Sequence, residues 1–176
     1  MANLLSAVEH TFSDAGWAFH KVDEREVLEA DFEAHHTRVR VHVQAFAEIG
    51  AISVGANLTH KVPQSRAGVI SEMLMRTNEE LTLGNFELLW DTGAILFRVT
   101  NVIGHREATA ADRQIIASLV HSAIAEVDRL TPFVSLVLGM TTAELANLNL
   151  KTFLMREDLL PPLPDGEEQS DESNPL

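Results

Sequence analysis

Histidine is the residue type in this sequence with the widest chemical scope, because it binds metals and carries protons near neutral pH. There are eight histidines, and His35 and His36 are adjacent. Neighbouring residues of a strand point to opposite faces, so these two could not easily hold one ion together. The sequence has no HExxH motif, no His-x-His pair and no cysteine. It therefore predicts no metal centre and no cofactor.

Glu87 and Arg98 are the other pair that could do chemistry, either as acid and base or as an anion site. No third polar group joins them in a pattern typical of an active site. The sequence also has no Gly-rich phosphate loop and no recognisable nucleophilic serine. We therefore interpret Glu87 and Arg98 as a structural ion pair across neighbouring strands. We expect no catalytic residues and no enzyme activity.

The elements that would position this pair form a hairpin within residues 76–101. Apolar and polar residues alternate on both sides of Asp91-Thr92-Gly93-Ala94, which is typical of two strands with one buried face. Glycine allows the positive φ of a short turn, so we predict a two-residue turn at Thr92-Gly93. Counting outward gives these partners: Trp90 with Ile95, Leu88 with Phe97, Phe86 with Val99, Glu87 with Arg98, and Leu89 with Leu96. Trp90 is thereby predicted to be buried.

Two earlier strands, Val27–Ala34 and Thr37–Glu48, carry a charge ladder. A turn at His35-His36 would pair Glu29 with His42, Asp31 with Arg40 and Glu33 with Arg38, and a longer loop would shift these partners. Other segments are predicted as follows: helices at 3–15, 64–80, 109–130 and 142–155, a short apolar helix to Leu138 after a break or kink at Thr131-Pro132, and strands at 17–22 and 49–57. The order α-β-β-β(-β)-α-β-β-α-α predicts an α+β fold with a mostly antiparallel sheet of five to six strands.

The charge of the chain is strongly acidic. The formal net charge is −13, and seven acids with no Lys or Arg follow from residue 157 onward. Such a protein repels phosphate backbones and anionic lipids, so we expect no nucleic-acid and no membrane partner. We expect one domain at 1–156 and a disordered, acidic, Pro-rich tail at 157–176. The N-terminus lacks a basic segment followed by an apolar run, and together with the absence of cysteine this suits a cytoplasmic protein.

The most specific stretch of the chain is Leu83-Gly84-Asn85-Phe86-Glu87-Leu88, followed by Gly93 and Phe97-Arg98-Val99. It occurs with these further features: Gly16-Trp17-Ala18-Phe19, Val62-Pro63, Asn78 and the segment from Pro132 to Gly139. In this combination the sequence resembles the bacterial YbjN-like family, whose members have the fold of type III secretion chaperones. The resemblance covers roughly residues 1–150. It implies an α+β domain without known catalysis, linked to regulation or protein binding.

Some apolar residues fall where the pattern does not need them. Phe46, Leu89 and Leu96 lie on the polar face of their strands, and Met73 and Met75 widen the apolar side of the second helix. Because exposed apolar patches mark partner surfaces, these five are the candidate partner-binding residues. We predict a non-enzymatic protein-binding module, chaperone-like or regulatory, that acts through an apolar surface of the sheet or helices. The alternatives are a small-molecule-binding protein or enzyme with an unrecognised site, and a structural subunit of a larger assembly. The apolar excess also predicts a homodimer.

Overall fold

The computed structural model describes residues 4–161. Helix α1 precedes four strands: α1 (Leu4–Asp14), β1 (His20–Lys21), β2 (Val27–Glu33), β3 (Arg38–Phe46) and β4 (Ala51–Lys61). A 3₁₀ turn and a helix then lead to the last two strands: the turn Gln64–Arg66, α2 (Ala67–Glu80), β5 (Asn85–Leu89) and β6 (Ala94–Val102). The described part of the chain closes with helices: α3 (Ala110–Gly139), α4 (Thr142–Ala146), α5 (Leu150–Phe153) and a 3₁₀ turn at Glu157–Leu159.

The six strands form one sheet in the order β1-β2-β3-β4-β6-β5, and every neighbouring pair is antiparallel. Strand β6 lies between β4 and β5, because α2 carries the chain past the place that β6 later fills. The predicted α+β fold and its element order are confirmed. One face of the sheet packs against the helices in a single apolar core. The other face, here called the open face, carries polar residues such as Asp31, Arg40 and Thr100, all exposed.

The charge ladder fixes the β2–β3 register as predicted. Glu33 lies opposite Arg38, and the ladder continues through Asp31 with Arg40 and Glu29 with His42. Two residues form the turn, and the Ala34 N–H donates to the Thr37 carbonyl at 2.9 Å. The turn is held to α3, because the His36 N–H donates to the buried Asp128 carboxylate at 2.6 Å.

The β5–β6 hairpin differs from the prediction by two residues. Leu89 pairs with Ala94 and Phe86 with Phe97, so the turn contains four residues rather than two. Gly93, at φ 68°, approaches Val62 so closely that a Cβ there would lie 2.2 Å from the Val62 carbonyl oxygen. A shift of two residues keeps every side chain on its predicted face. It moves Trp90 into the turn, where it is 55% exposed, and the prediction that Trp90 is buried is wrong.

Helix α3 is continuous over 30 residues, so of the predicted break or kink at Thr131-Pro132 the break is wrong. Proline removes one backbone hydrogen bond, but burial on both sides holds this helix together: Leu130, Phe133 and Val134 are almost fully buried. The Thr131 hydroxyl donates to the Val127 carbonyl at 2.7 Å. The predicted last helix is instead two short helices, α4 and α5, and the Asn149 side chain accepts the Thr152 N–H at the start of α5.

The chain beyond α5 continues in contact with the domain for a few residues. Glu157–Leu159 forms a 3₁₀ turn, and the half-buried Leu159 packs against the core. The predicted tail at 157–176 therefore begins with an ordered turn, and residues 162–176 lie outside the described residues. Within residues 4–161, no helix is long and apolar enough to cross a membrane.

Candidate protein-binding site

The open face carries a row of polar residues across five strands. His20, Glu29 and His42 lie side by side on β1, β2 and β3, and the row continues through Gly55 on β4 to Arg98 on β6. His20 Nε2 lies 3.2 Å from the Glu29 carboxylate. Glu29 is the one acid of the row, and the ion pair within the row joins it to His20.

His42 occupies the middle of this row. Its ring lies against Gly55, where a Cβ would stand 2.2 Å from His42 Nε2. Burial lowers the pKa of His42 below its ordinary value, Glu29 opposes that change and Arg98 adds to it. His42 is accordingly a neutral, half-buried imidazole at neutral pH rather than a cation available to an anionic ligand.

Glu87 and Arg98 form the ion pair that the sequence predicts, although they are not directly opposite each other. Glu87 faces Leu96 and Arg98 faces Asn85, so the two side chains meet on the diagonal. Arg98 Nε and Nη2 donate to the two Glu87 carboxylate oxygens at 3.0 and 3.3 Å. The guanidinium fork is thus already engaged. Among residues 4–161, no group of three or more His, Asp and Glu side chains is placed to hold a metal ion.

The five predicted partner-binding residues do not form one surface. Met73 is 0% exposed because it faces the core from α2, and Leu96 is 4% exposed because it lies between Asn57 and Glu87 in mid-sheet. Neither can present its side chain to a partner, and their assignment is corrected accordingly.

The other three predicted residues are accessible but dispersed. Phe46 is half-buried in a row that ends at Val102, whereas the exposed Leu89 pairs with Ala94. Eight residues of β6 separate those two rows, about 26 Å along the strand. Met75 is exposed on α2. The predicted single apolar patch on the open face is therefore divided by the polar row.

An apolar groove that the sequence reasoning missed lies between β6 and the first half of α3. Leu83, Val99, Ile115 and Leu119 line it, and we call it the edge groove. Leu83 and Ile115 are 57% and 39% exposed, whereas Val99 and Leu119 form its buried floor. One signal for this groove was present in the sequence, because the apolar Leu83 lies just before the strand that contains Phe86. That strand, β5, is shorter than its partner β6.

The edge groove runs beside unpaired backbone. The Ile103 N–H donates to the Gly50 carbonyl at 2.8 Å, so the backbone of Ile103 faces β4. Because this direction alternates along a strand, the N–H and C=O groups of Thr100 and Val102 face away from β4. Strand β5 begins only at Asn85, opposite Arg98, and no turn or loop backbone group within residues 4–161 bonds Thr100 or Val102.

The outer edge of β5, by contrast, is covered by a side chain. The Phe86 N–H donates to Asn78 Oδ1 at 2.8 Å, and Asn78 Nδ2 donates to the Phe86 carbonyl at 3.0 Å. This amide occupies the place that the backbone of a further strand would take. The edge of β5 is therefore covered at Phe86, whereas nothing in residues 4–161 covers the end of β6 in this way.

Exposed acidic residues flank, in the sequence, two of the segments that line the edge groove. Glu79 and Glu80 are exposed at the end of α2, three to four residues before Leu83, and Glu107 is exposed in the loop before α3. None of the three takes part in an ion pair of the described residues. Asp112 is different, because the Arg106 guanidinium and then Thr109 hold the pKa of its carboxyl well below its usual range.

The sequence matches a family model, and the fold is similar to solved structures. The model of the family YbjN, described as "Putative bacterial sensory transduction regulator", matches residues 4–135. The structure titled "Crystal structure of YbjN, a putative transcription regulator from E. coli" is 13% identical, with a TM-score of 0.51 over 81% of this chain and 92% of that one. The structure titled "Crystal Structure of the ExsC-ExsE Complex" is also 13% identical, with a TM-score of 0.44 over 75% of this chain and 98% of that one. The chain matches no curated protein sequence.

Proposed function

We propose that this chain, which belongs to the YbjN family, is a non-enzymatic protein-binding module with a regulatory or chaperone-like role. The family is described as one of sensory transduction regulators, and the similar E. coli structure is titled a transcription regulator. With a net charge of −13, this chain is repelled by nucleic acid, so regulation through protein contacts is better supported than direct DNA binding.

The edge groove is the observation that carries this proposal. It combines exposed apolar side chains, Leu83 and Ile115, with a sheet edge at Thr100 and Val102 whose outward backbone groups no turn or loop of residues 4–161 bonds. Exposed apolar side chains are unfavourable in water, and an open edge is a template for another strand, so both features suit a protein partner. The polar residues of the open face, in contrast, are matched with one another and leave little charge for a small ligand.

An enzyme or small-molecule-binding protein is the alternative, and its strongest support is a contact between His60 and Ser135. Ser135 Oγ lies 3.0 Å from His60 Nε2, and the buried His60 Nδ1 has no hydrogen-bond partner among residues 4–161. However, the Ser135 hydroxyl also donates to the Thr131 carbonyl at 2.9 Å, and no carboxylate of the described residues orients the imidazole. A nucleophile of the serine–histidine type needs that orienting group, so protein binding is preferred.

The test is selection of peptides from a random library on the immobilised full chain, followed by affinity measurements with variants. Ile115→Glu places a charge in the edge groove, and we expect it to weaken the selected peptides by about tenfold or more, as loss of a buried apolar contact does. Leu136→Glu is the matched control, because Leu136 lies on the same helix with 40% exposure against 39% for Ile115. Equal affinities for both variants, or a selection without binders, would overturn the proposal.

A further inference from the structure

We infer that the edge groove takes its partner as an added β-strand beside residues 99–102 of β6, and that the partner segment is extended, apolar on alternate residues and flanked by basic ones. This inference rests on the proposed function and specifies the partner. The outward N–H and C=O groups of Thr100 and Val102, which no turn or loop of residues 4–161 bonds, are its starting point. A helix could not bond both residues, because its own backbone groups are already paired, whereas a strand bonds every second residue of its neighbour.

The length of the open edge limits the segment. Strand β6 continues for four residues past Arg98, about 13 Å of strand. The open edge of β6 stops at Arg98, because Asn85 of β5 already pairs with that residue. A partner strand of four to five residues therefore fits before its chain has to leave the plane of the sheet.

Alternation along the strand fixes which side chains the segment presents. Val99 faces the helices and Thr100 faces the open side, so an added strand would present its own residues to these two sides in turn. Residues on the helix side would contact Ile115 and Leu119, which favours Val, Ile or an aromatic residue there. On the open side, the neighbours are Thr100 and the exposed Val102, so small β-branched residues such as threonine fit.

The charge near the groove indicates which residues suit the two ends of the partner segment. Glu79 and Glu80 precede the lining residue Leu83 by three to four residues, and Glu107 precedes the lining residue Ala111 by four; all three are exposed and outside the ion pairs of the described residues. Lys or Arg on both sides of an apolar strand would complement them, and the net charge of −13 adds long-range attraction. The chain's own residues 162–176 are unsuited, because they contain three prolines, five acids and no β-branched or aromatic residue.

The experiment uses a synthetic peptide, Lys-Lys-Val-Thr-Val-Thr-Val-Lys-Lys, and the full chain. In a bound strand, the N–H groups of the valines point to one edge and those of the threonines to the other. We therefore compare two isomers with two N-methyl groups each, one methylated on its first two valines and one on its two threonines. By fluorescence anisotropy, we expect one isomer to lose about tenfold or more in affinity, while the other stays within about threefold of the parent. The same affinity for both isomers would overturn strand addition.

Amide hydrogen exchange provides the second readout, and it locates the strand. Binding should slow exchange at Thr100 and Val102 and leave Leu88, on the outer edge of β5, unchanged. A peptide whose affinity depends on Ile115 but which protects neither Thr100 nor Val102 would overturn strand addition and leave the proposed function standing. Concentration-dependent protection of the two amides without peptide would show that a second copy fills the edge, and would also overturn the inference.

Replacing the four lysines with glutamate should weaken binding by about tenfold, as repulsion replaces attraction.

Discussion

At the residue scale, the open face depends on a contact between one histidine and one glycine. The His42 ring is half-buried because Gly55 offers no side chain, and the ring covers the bare backbone of β4 in return. Glu29 and Arg98 act on His42 in opposite directions, so desolvation decides its charge state. The pKa of a histidine in such a place depends on how much of its ring is buried.

We expect Gly55→Ala to raise the pKa of His42 toward its ordinary value of 6.5. The new Cβ would meet only the end of a flexible side chain, so the ring should swing into water at a small cost in stability. An NMR titration of the imidazole protons measures this change. Gly68→Ala is the control, because a Cβ at Gly68 has nothing within 4 Å. An unchanged His42 pKa in Gly55→Ala would contradict the burial argument.

The same pKa gives a sign for the effect of pH on stability. Because folding lowers the pKa of His42, the unfolded chain binds more protons than the folded one as the pH falls below 6.5. The contribution of His42 to the free energy of unfolding is therefore complete above pH 6.5 and declines as the pH falls below that value. His42→Gln should lack this part of the pH dependence in urea denaturation measured between pH 7.5 and 5.

Trp90 and Phe97 provide a second residue-scale prediction. Trp90 is 55% exposed in the hairpin turn, so Trp90→Ala should cost less than about 1 kcal/mol of unfolding free energy. Phe97 is 0% exposed and packs on Phe86, so Phe97→Ala should cost about 3–5 kcal/mol. Urea denaturation of both variants measures the difference. If Trp90→Ala proved as damaging as Phe97→Ala, the two-residue turn would be the better description of the hairpin.

At the element scale, the two hairpins show what the sequence can and cannot predict. The β2–β3 register was predictable because a two-residue turn at His35-His36 brings three acids opposite three bases, Asp31 and Arg40 among them. The β5–β6 register was not, because a shift of two residues keeps the same faces buried, and the choice depends on Gly93 meeting Val62, a residue far away in the sequence. The edge groove escaped prediction for a related reason. The groove depends on which residue of β6 lies opposite the first residue of β5, and this is decided by long-range pairing.

Asn78 supports the edge of β5, and we expect Asn78→Ala to cost about 1–3 kcal/mol, because it leaves the half-buried N–H and C=O of Phe86 without partners. Thermal unfolding measures the loss, and the Phe86 amide should exchange faster with solvent. Asn147→Ala is the matched control, since the exposed Asn147 side chain donates only to the Ala143 carbonyl and should cost under about 0.5 kcal/mol. A stable Asn78→Ala variant with a slowly exchanging Phe86 would mean that water or a neighbour covers this edge.

At the scale of the whole molecule, the apolar surface left for self-association is smaller than the sequence indicates. Met73 belongs to the core, and the exposed apolar residues outside the edge groove are dispersed, with Met75 on α2 and Leu89 and Trp90 by the hairpin turn. The homodimer stays a prediction. We expect its surface where α2 packs against β5, since each of these two elements carries one of these residues.

We expect sedimentation equilibrium at micromolar concentration to give the mass of a dimer, with about 800 Å² buried on each copy. Met75→Glu combined with Leu89→Glu should shift the mass toward that of one chain, because both charges would enter the interface. Met155→Glu is the control, as Met155 is 67% exposed and lies beyond α5. A monomer at every concentration would remove the dimer and leave Met75 and Leu89 as ordinary surface residues.

The insertion of β6 beside β4 divides the molecule into two halves. Residues 51–57 pair with 96–102 along a seam that joins α1 and β1–β4 to α2, β5, β6 and α3. A chain cut after Pro63 should therefore reassemble from two co-expressed fragments, each of which alone exposes one side of the seam. Co-purification through a tag on one fragment measures this, and Val54→Asp, at a fully buried position opposite Val99, should abolish it. Fragments that are each soluble but do not associate would mean that the seam cannot close without a continuous backbone.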